Sequence, residues 1–481
     1  MSTVCLLMHR DMLYIGGSWT ESKGEGRISV ENPATGSIVG SVPEGTLDDA
    51  DAAVMAARDA FDEWSNSSIE ERIRVLNSLS ESFKNRTNEL AELITKEVGT
   101  PIEYSKMAMV GTPRVVTRSY AKLLESYNWE EEVRNSTIVR EPIGVCAFIT
   151  PWNFPLHQII GKVAPAIAAG CTMVLKPSKE APLNAFILAD MLDEIGLPKG
   201  VFNLVSGYGS TVGSHLASHP EVDMVSFTGS TAAGVRVSQD AAESVKRVTL
   251  ELGGKSANVV LEDGNGIRAA KNAIGACFAN SGQTCSALTR LIVPESILGD
   301  IIPIIAERVE GYRPGDPMDP KTKCGPMVSA SQQESVLGYI RSGIEEGAVV
   351  VAGGSDLIDG LESGYFVRPT AFMNVKPNMK IWKEEIFGPV LCIASYTSED
   401  EALSLANDSE YGLSGGVWSE DIDRAVAFAR KMRTGQVSVN GGPFNISAPF
   451  GGYKKSGNGR ELGVHGFEEF LEIKSIQKPI E

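Results

Sequence analysis

The sequence of 481 residues has little cysteine, little positive charge and no long apolar run. Its seven cysteines are scattered without a Cys-x-x-Cys pair, which argues against a disulfide framework and favours a reducing compartment. Lys and Arg number 44 against 61 Asp and Glu, and the resulting net charge of −17 argues against nucleic acid or an acidic membrane as partner. No stretch offers 18 uninterrupted apolar residues, which argues against a membrane span.

The first residues, MSTVCLLMHRDMLYIGG, contain too short an apolar run for a signal peptide and lack the Arg- and Ser-rich pattern of a transit peptide. We therefore expect a cytoplasmic protein that binds neither membrane nor nucleic acid and holds no metal. Five of the seven cysteines are expected to be small core residues. A chain of this length is expected to form two or three lobes rather than a single core.

The N-terminal hundred residues have the apolar spacing of helices. Thr46 is placed to cap a first helix, whose apolar residues recur at intervals of three and four from Leu47 to Trp64 and predict one buried stripe. Ser68 and Glu71 have capping-box spacing and predict the start of a second helix. We expect that helix to continue to the Gly-Thr-Pro stop at residues 99–101.

From about residue 143, short apolar runs alternate with segments of helical length. This alternation predicts βαβ units around parallel sheets, and therefore an α/β fold with two lobes. The first series of strands is predicted at 145–149, 173–175, 201–205 and 224–227, with helices at 156–169 and 181–195. A second series is predicted to begin near 257–261 and to include a late strand at 437–439.

Seven short segments combine residue types that carry chemistry. In chain order they are 151–155 (PWNFP), 175–178 (LKPS), 227–230 (FTGS), 251–255 (ELGGK), 282–285 (GQTC), 384–389 (EEIFGP) and 449–452 (PFGG). With this order, and with 34 residues from Glu251 to Cys285 (285 − 251), the chain resembles the aldehyde dehydrogenase superfamily. The resemblance is to its broad-specificity, non-acylating members, and it extends from roughly residue 14 to the end of the chain. It implies two parallel-sheet lobes, one of them Rossmann-like, and a small β oligomerisation element.

The resemblance implies NAD(P)-dependent oxidation of an aldehyde to a carboxylic acid, with Cys285 as the nucleophile. An aldehyde releases hydride readily only after its carbon becomes tetrahedral, so a thiolate adds first and a thioester remains. By resemblance, the Asn153 side-chain amide and the Cys285 backbone N–H are the hydrogen-bond donors that stabilise the alkoxide formed by this addition. Glu251 is then the base that activates water to hydrolyse the thioester. Glu461 matches a second family carboxylate that is sometimes assigned to proton relay.

Each of these residues has a plainer interpretation from the sequence alone. A cysteine is more often an inert core thiol, Asn153 lies between prolines where a turn favours asparagine, and Glu251 can pair with a surface lysine. Only the motif context favours the catalytic interpretation.

The resemblance also implies a site for NAD or NADP. Gly229 and Ser230 lie at a strand-to-helix turn, where backbone N–H groups bind phosphate oxygens, although the segment is not a Gly-x-Gly-x-x-Gly motif. Lys176 is expected to donate to the adenosine ribose, and Glu385 to accept from the nicotinamide ribose. The other residues expected at the cofactor are Thr150, Trp152, Ser178, Lys179, Gly209, Gly213, Leu252 and Phe387. The glycines can equally serve turns, and Phe387 can equally be a core residue.

An aromatic substrate tunnel is expected from three further family positions, Phe154, Phe444 and Phe450. Many relatives carry a Trp seven residues after Phe154, where this chain has Gly161. The neighbouring positions hold His157 and Gln158 rather than two apolar residues. We therefore expect a wider and more polar tunnel mouth than in those relatives.

Other classes of protein remain open at this point. A CoA-acylating semialdehyde dehydrogenase would use CoA in place of water and would not need Glu251. A cysteine hydrolase would need a histidine base beside the thiol, and none of His9, His157, His215, His219 and His465 has a recognisable catalytic context. A non-catalytic binding protein could have lost Cys285, Glu251 or Asn153, and the chain has all three.

Three domains are predicted. Residues 1–121 and 142–250 form a dinucleotide-binding domain, residues 251–440 a catalytic domain, and residues 122–141 with 441–481 an oligomerisation element and tail. The charged segment 125–140 is predicted to be a polar hairpin or an exposed loop. By resemblance, this element adds strands to the sheet of a neighbouring subunit, which predicts a homodimer or homotetramer.

The preference between NAD and NADP is expected to depend on Lys179. NAD-preferring relatives often carry a glutamate three residues after the ribose-binding lysine, and that carboxylate repels a 2′-phosphate. A lysine in this place can instead pair with the phosphate. The plainer alternative is that Lys179 points to solvent and contacts neither cofactor. We expect NADP to be accepted at least as well as by NAD-specific relatives.

In the Lys179→Glu variant, the ratio of kcat/KM for NAD to that for NADP should rise. The corresponding change in the free-energy difference between the two cofactors should be about 1–3 kcal/mol, the range of a hydrogen bond to a charged group. The measurement is steady-state kinetics with both cofactors for wild type and variant. An unchanged ratio would show that Lys179 does not contact the 2′ position.

Overall fold

Two large sheets, of eight and seven strands, form the frame of the molecule. The computed structural model describes residues 7–480, so that Cys5 and the outermost residues of the predicted first domain and tail lie outside the described part. None of the helices within residues 7–480 is long and apolar enough to cross a membrane. The predicted α/β fold with two parallel-sheet lobes is confirmed.

The strands are β1 (Met8–His9), β2 (Met12–Ile15), β3 (Ser18–Glu21), β4 (Arg27–Asn32), β5 (Ser37–Pro43), β6 (Glu130–Val133), β7 (Ser136–Pro142), β8 (Val145–Ile149), β9 (Thr172–Lys176), β10 (Phe202–Leu204), β11 (Met224–Thr228), β12 (Arg247–Glu251), β13 (Ala257–Val260), β14 (Arg290–Pro294), β15 (Val349–Ala352), β16 (Thr370–Met373), β17 (Val390–Tyr396), β18 (Ser414–Trp418), β19 (Gln436–Val439), β20 (Gly457–Asn458) and β21 (Leu471–Gln477).

The α-helices are α1 (Leu47–Ser65), α2 (Ile69–Asn85), α3 (Thr87–Val98), α4 (Ile102–Tyr104), α5 (Thr112–Leu124), α6 (Pro155–Ala169), α7 (Leu183–Glu194), α8 (Ser214–Ser218), α9 (Thr231–Ala241), α10 (Gly266–Phe278), α11 (Glu295–Glu310), α12 (Ala330–Glu345), α13 (Lys380–Lys383), α14 (Glu399–Asn407), α15 (Ile422–Ala429) and α16 (Gly463–Glu468). Two π-helical turns lie at Ser105–Gly111 and Gly209–Gly213.

The eight-stranded sheet has the order β20-β12-β11-β8-β9-β10-β2-β3. Its five middle strands, from β12 to β10, are parallel, and the pairings outside them, of β20 with β12, β2 with β10 and β3 with β2, are antiparallel. Every residue of β8 and β9 is buried, because helices cover both faces of a parallel sheet. The short strand β20, from the predicted tail, forms the edge of this sheet beside β12.

The seven-stranded sheet has the order β15-β16-β17-β14-β13-β18-β19 and is parallel apart from β15. The predicted late strand at 437–439 is its edge strand β19. Two three-stranded sheets complete the β-structure. One pairs β1, β5 and β4, and the other, β21-β7-β6, joins the predicted polar hairpin to the C-terminal segment of the same chain.

The first N-terminal helix begins where the sequence predicted. Thr46 Oγ1 accepts from the Asp49 backbone N–H at 3.2 Å, and the Asp49 carboxylate accepts from the Thr46 N–H at 2.8 Å. Both hydrogen bonds of a capping box are therefore formed. The buried stripe is narrower than predicted. Leu47, the first residue of the helix, is 46% exposed, whereas Ala50, Val54 and Trp64 are buried.

The prediction of one continuous helix from Ser68 to residue 98 was wrong. The chain leaves helical geometry at Arg86, with φ −104° and ψ 18°, and α2 and α3 are separate helices. At the break the Thr87 hydroxyl donates to the Phe83 and Lys84 carbonyls at 2.9 and 3.0 Å and so satisfies carbonyl groups at the end of α2. The predicted stop is correct, since Gly99 adopts the left-handed conformation at φ 82°.

Candidate active site

A cavity of about 230 Å³ lies between the two large sheets, at the carboxyl ends of the parallel strands of the first. The loops after β8 and β11 and the end of β12 form one wall, and the second lobe contributes the opposite wall. This one cavity is lined by most of the residues that the motifs predicted for catalysis and for the nicotinamide and pyrophosphate of the cofactor. They are Trp152, Asn153, Gly229, Ser230, Glu251, Leu252, Cys285, Glu385 and Phe387.

Cys285 follows a sharply turned segment after α10. Asn280, Ser281 and Gly282 have φ angles of 53°, 57° and 74°, three consecutive residues in the left-handed region. A Cβ on Gly282 would lie 2.1 Å from the Gly388 carbonyl oxygen, so only glycine fits there. The turn directs Cys285 into the cavity, where burial raises the pKa of its thiol, with Glu385 and Glu251 raising it further.

A hydrogen-bonded chain holds Asn153 opposite the cysteine segment. The Asn153 side-chain nitrogen donates to the Gln283 carbonyl at 3.0 Å, and Asn280 Nδ2 donates to the Asn153 carbonyl at 2.8 Å. Thr100 Oγ1 in turn donates to Asn280 Oδ1 at 2.7 Å. A primary amide has two N–H donors, so one Asn153 hydrogen stays available for an oxygen in the cavity. The sequence analysis missed Thr100 and Asn280, whose partners lie 100 or more positions away in the chain.

Glu251 ends β12 and is 5% exposed. Neither carboxylate oxygen has a hydrogen-bond partner within residues 7–480. Gly451 allows this placement, because a Cβ there would lie 2.6 Å from Glu251 Oε1. Burial raises the pKa of the Glu251 carboxyl well above its usual value, and the charge of Glu461 adds to this. A buried carboxyl without partners is costly for folding and is typical of a functional site.

Lys162 links Glu461 to the cavity wall, and the sequence analysis missed it. This fully buried lysine of α6 donates to Thr228 Oγ1 at 2.7 Å and forms an ion pair with the Glu461 carboxylate. Two backbone hydrogen bonds of 2.7 Å between Glu461 and Phe450 hold the glutamate in place. The sequence contained one signal for it, a single lysine within the mainly apolar residues 155–169. A lysine in such a helix is expected to be buried, and a lysine is fully buried only when its charge is paired.

The nicotinamide side of the cavity has the groups that a dinucleotide needs. Glu385 Oε1 accepts from the Gly254 N–H at 3.0 Å, and burial raises the pKa of the Glu385 carboxyl to about 7. A Cβ on Gly253 would lie 2.1 Å from Glu385 Oε2, so glycine is required for this approach. Phe387 packs edge-on against Trp152 with 5.4 Å between ring centroids.

Phe387 is held in a strained conformation. Its φ is 56°, and Gln332 Nε2 donates to its carbonyl at 3.0 Å. Gln332 lines the cavity and was also missed by the sequence analysis. Strained residues that surrounding contacts fix in place are typical of ligand sites.

The N-terminus of α9 opens onto the same cavity. Ser230 caps this helix of 11 residues through its hydroxyl, which accepts from the Ala233 N–H at 3.3 Å. A Cβ on Gly229 would lie 2.5 Å from the Phe227 ring, so the turn requires glycine. Free N–H groups at a helix start favour phosphate oxygens, and this arrangement fits a pyrophosphate.

Lys176 and the residues near it lie beyond the cavity, on the side expected for the adenosine. Lys176 Nζ donates to the Pro177 and Gly207 carbonyls at 2.7 and 3.1 Å, and burial lowers its pKa to about 8. A Cβ on Gly213 would touch the Lys176 stem at 3.6 Å, whereas Gly209 is exposed with open space beside it. Thr150 Oγ1, next to β8 and beside this lysine, is buried without a hydrogen-bond partner in the described residues, as is typical of a polar group at a functional site.

Ser178 and Lys179 lie at the exposed end of this segment. Ser178 Oγ accepts from the Glu180 N–H at 3.3 Å, and Lys179 Nζ forms an ion pair with Glu180 at 2.6 Å. Lys179 is half exposed. A phosphate near Lys179 would therefore compete with Glu180 for the ammonium.

A second cavity, of about 300 Å³, reaches Cys285 from the opposite side; we call it the tunnel. It is lined by the three predicted phenylalanines, Phe154, Phe444 and Phe450, together with Tyr104, His157, Gln158, Glu461 and Leu462. Phe444 is 52% exposed and therefore lies at the mouth. Gly161 lies behind the wall, and a Cβ there would be 3.2 Å from Glu461 Oε2. The expected polar lining is present, and Glu461 adds to it.

The histidines do not form a base for the thiol. Only His157 of the histidines in residues 7–480 lines a cavity with Cys285, and no hydrogen bond joins the two within the described part. Asp51, His215 and His219 bring their ligand atoms within 4.8 Å of one another. His219 Nδ1, however, accepts from the Glu221 N–H at 3.1 Å, so its Nε2 carries the proton and faces Asp51. That group is a hydrogen-bonded cluster rather than a set of metal ligands.

Residues 19–476 match the family model described as aldehyde dehydrogenase family. The chain is 50% identical to a 3-succinoylsemialdehyde-pyridine dehydrogenase of a Pseudomonas species, over 96% of this chain and 97% of the relative. A mutant of aldehyde dehydrogenase C from Pseudomonas syringae, solved with NAD+ and octanal, has a TM-score of 0.97 and 46% identity, covering 98% of this chain and 99% of that one. An aldehyde dehydrogenase of Mycobacterium tuberculosis solved with NAD+ has a TM-score of 0.96 and 40% identity, covering 98% and 99%.

Proposed function

Because the chain belongs to the aldehyde dehydrogenase family and is an NAD-dependent enzyme that oxidises aldehydes, we propose that Cys285 is its nucleophile and Glu251 its hydrolytic base. One observation carries the proposal. Cys285 lines both the cavity that fits a dinucleotide and the tunnel, so it lies where an aldehyde and a cofactor would meet. NAD+ held in the first cavity by Ser230, Glu385 and Phe387 would supply the hydride acceptor and a positive charge that favours the Cys285 thiolate.

The first half-reaction forms and oxidises a covalent adduct. The Cys285 thiol releases its proton to tunnel water, and the sulfur adds to the aldehyde carbon to give an alkoxide. The free Asn153 N–H stabilises that oxygen, because the other N–H is already fixed on the Gln283 carbonyl at 3.0 Å and orients the amide. The carbon then loses hydride, the carbonyl reforms, and a thioester to Cys285 remains.

The second half-reaction hydrolyses the thioester. Glu251 takes a proton from water, the hydroxide adds to the thioester carbon, and the carbon–sulfur bond breaks to release the carboxylic acid and the Cys285 thiolate. A carboxyl whose pKa is raised by burial is a stronger base once ionised. The Glu461–Lys162 pair, joined to Thr228 on the cavity wall, gives a further place to which the proton can pass.

A hydrolytic route is favoured over the CoA-acylating one by Glu251 itself. Transfer to CoA needs no activated water, whereas the chain keeps an unpartnered carboxyl in the cavity at the cost of its desolvation. The tunnel volume of about 300 Å³ suits an aldehyde of medium length, in keeping with the octanal in the Pseudomonas syringae structure.

We also propose a cytoplasmic homodimer or homotetramer. The sheet β21-β7-β6 has open edges, and β21 exposes Ile473 and Ile476, at 69% and 48%. Exposed apolar residues on an edge strand are expected to be covered by a partner.

The Cys285→Ser variant should lose aldehyde oxidation while it still binds NAD, because the thiol acts on the aldehyde and not on the cofactor. NADH formation is followed by absorbance, and NAD binding by calorimetry. Cys146→Ser is the matched control, since that buried thiol, near the start of β8, donates to the Gly144 carbonyl and lines neither cavity. Substantial turnover by Cys285→Ser would place the nucleophile elsewhere.

The Glu251→Gln variant should separate the two half-reactions, because hydride transfer precedes the activation of water. A rapid burst of about one NADH per active site should remain while steady turnover collapses by about 100- to 10,000-fold, the range for losing a general base. Stopped-flow absorbance measures both phases, with exposed Glu420→Gln as control. Equal losses in burst and steady rate would contradict a role mainly in hydrolysis.

Removal of residues 473–481 should disrupt the assembly, because it deletes most of β21 and leaves β7 paired only with β6. Light scattering after size-exclusion chromatography gives the mass in solution. A shorter truncation, of residues 478–481, leaves β21 intact and serves as control. An unchanged mass after the longer truncation would refute the role of the tail in assembly.

A further inference from the structure

The side-chain amide of Asn280 is 2% exposed and is held at both of its ends. Its Nδ2 donates to the Asn153 carbonyl at 2.8 Å and to the Gln283 carbonyl at 3.4 Å. Its Oδ1 accepts from Thr100 Oγ1 at 2.7 Å. Backbone carbonyls can only accept, so the nitrogen end of the amide must face them, and the Thr100 hydroxyl must be the donor to the oxygen end. These contacts leave the amide a single orientation.

The two carbonyls that Asn280 contacts control the direction of the Asn153 side chain. One of them belongs to Asn153 itself and fixes its backbone. The other, that of Gln283, also accepts from Asn153 Nδ2 at 3.0 Å. Asn280 therefore holds both the backbone that carries the Asn153 amide and the group to which one of its N–H donors is bound. The direction of the second N–H, which points to the alkoxide in the proposed reaction, depends on both contacts.

Thr100 is a fixed point from which this orientation can be set. It is 1% exposed and lies in the short connection between α3 and α4. The Gly99 carbonyl before it approaches Gly325 of the second lobe so closely that a Cβ on Gly325 would lie 1.9 Å from its oxygen. The Ile102 N–H after it donates to the Pro317 carbonyl at 2.8 Å. The second lobe thus holds the connection on both sides of the Thr100 hydroxyl.

We propose that Thr100 is a positioning residue, whose hydroxyl acts through Asn280 to aim the Asn153 amide at the alkoxide. In the described part of the chain, neither Thr100 nor Asn280 lines the first cavity or the tunnel, so both act through Asn153 rather than on the substrate. Without the hydroxyl, the buried Asn280 Oδ1 lacks its donor and the amide is free to turn toward another partner. The inference rests on the proposed function, in which the Asn153 N–H stabilises the alkoxide.

The first test is Thr100→Val, which removes the hydroxyl and keeps a side chain of similar shape. Oxygen anions form both when the thiolate adds to the aldehyde and when water adds to the thioester. The burst rate and the steady turnover with octanal should therefore fall together, by about 10- to 100-fold, since a small misplacement of a catalytic group has effects of this size. Stopped-flow absorbance of NADH measures both phases. NAD binding, followed by calorimetry, should stay unchanged.

The second test places Thr100→Val in an Asn153→Ala background. Asn153→Ala alone should slow both phases by about 100- to 1,000-fold, the range for losing an oxyanion donor. Adding Thr100→Val should then cause no further loss, because its effect requires the Asn153 amide. A general disturbance of the site would instead lower the rates by the same factor in both backgrounds.

Two further variants serve as controls. Thr100→Ser retains the hydroxyl and should keep most of the wild-type rate. Thr95→Val removes a different buried hydrogen bond of the same region, that of Thr95 Oγ1 with Ser105 Oγ at 2.8 Å, and should leave both phases unchanged. Thr100→Ala, which places no methyl group against Asn280, takes the place of Thr100→Val should that variant fail to fold.

The outcomes separate the two levels of the argument. Wild-type rates in Asn153→Ala contradict the proposed function of Asn153 itself. If Asn153→Ala is slow, the role of Thr100 is still overturned by wild-type rates in Thr100→Val, by an equal loss in both backgrounds, or by an equal loss in Thr95→Val. Each of those three results leaves the proposed function intact.

Discussion

The close approach of two backbone segments at Gly282 is the constraint on which the site depends. Gly282 lies against Gly388 and Pro389 so tightly that a Cβ would meet three of their backbone atoms within 2.6 Å. The two residues before it, Asn280 and Ser281, are non-glycine residues at positive φ, each of which costs about 1–3 kcal/mol. Their side chains offset this cost, since Asn280 bonds to Thr100 and Asn153, and Ser281 Oγ donates to the Gly325 carbonyl at 3.0 Å.

The same contacts join the two lobes around the cysteine. Gln283 accepts from Asn153 of the first lobe through its carbonyl, and its side-chain oxygen accepts from the Val328 N–H at 2.9 Å in the second. The amide expected to stabilise an alkoxide and the thiol expected to form it are therefore oriented by one residue. The conformation of the 280–283 turn thus fixes the geometry between them, which is the condition for preorganised catalysis.

The sequence predicted what depends on local patterns and missed what depends on distant partners. The strand at 145–149 and the cap at Thr46 follow from neighbouring residues, and the structure has both. The break at Arg86 escaped prediction because the apolar spacing continues across it, and only the backbone angles of this one residue mark it. Lys162 escaped notice because its partner Glu461 is 299 positions away. The motifs located Cys285, Glu251 and Asn153, but Asn280 and Thr100, which help to orient Asn153, lie outside every motif.

The buried acidic groups of the site limit how much negative charge it can hold. Burial raises the pKa of Cys285, Glu251 and Glu385 alike, and the charges of Glu251 and Glu385 raise that of Cys285 further. Ionising all three together would place three like charges around one cavity, which a low-dielectric site disfavours. The nucleophile and the base are therefore expected to be ionised at different stages of the reaction, the thiolate when a cationic cofactor ring is near and the glutamate when the thioester has formed. Glu461, which lines the tunnel rather than this cavity, also raises the pKa of Glu251, and its ion pair with Lys162 offsets part of that charge.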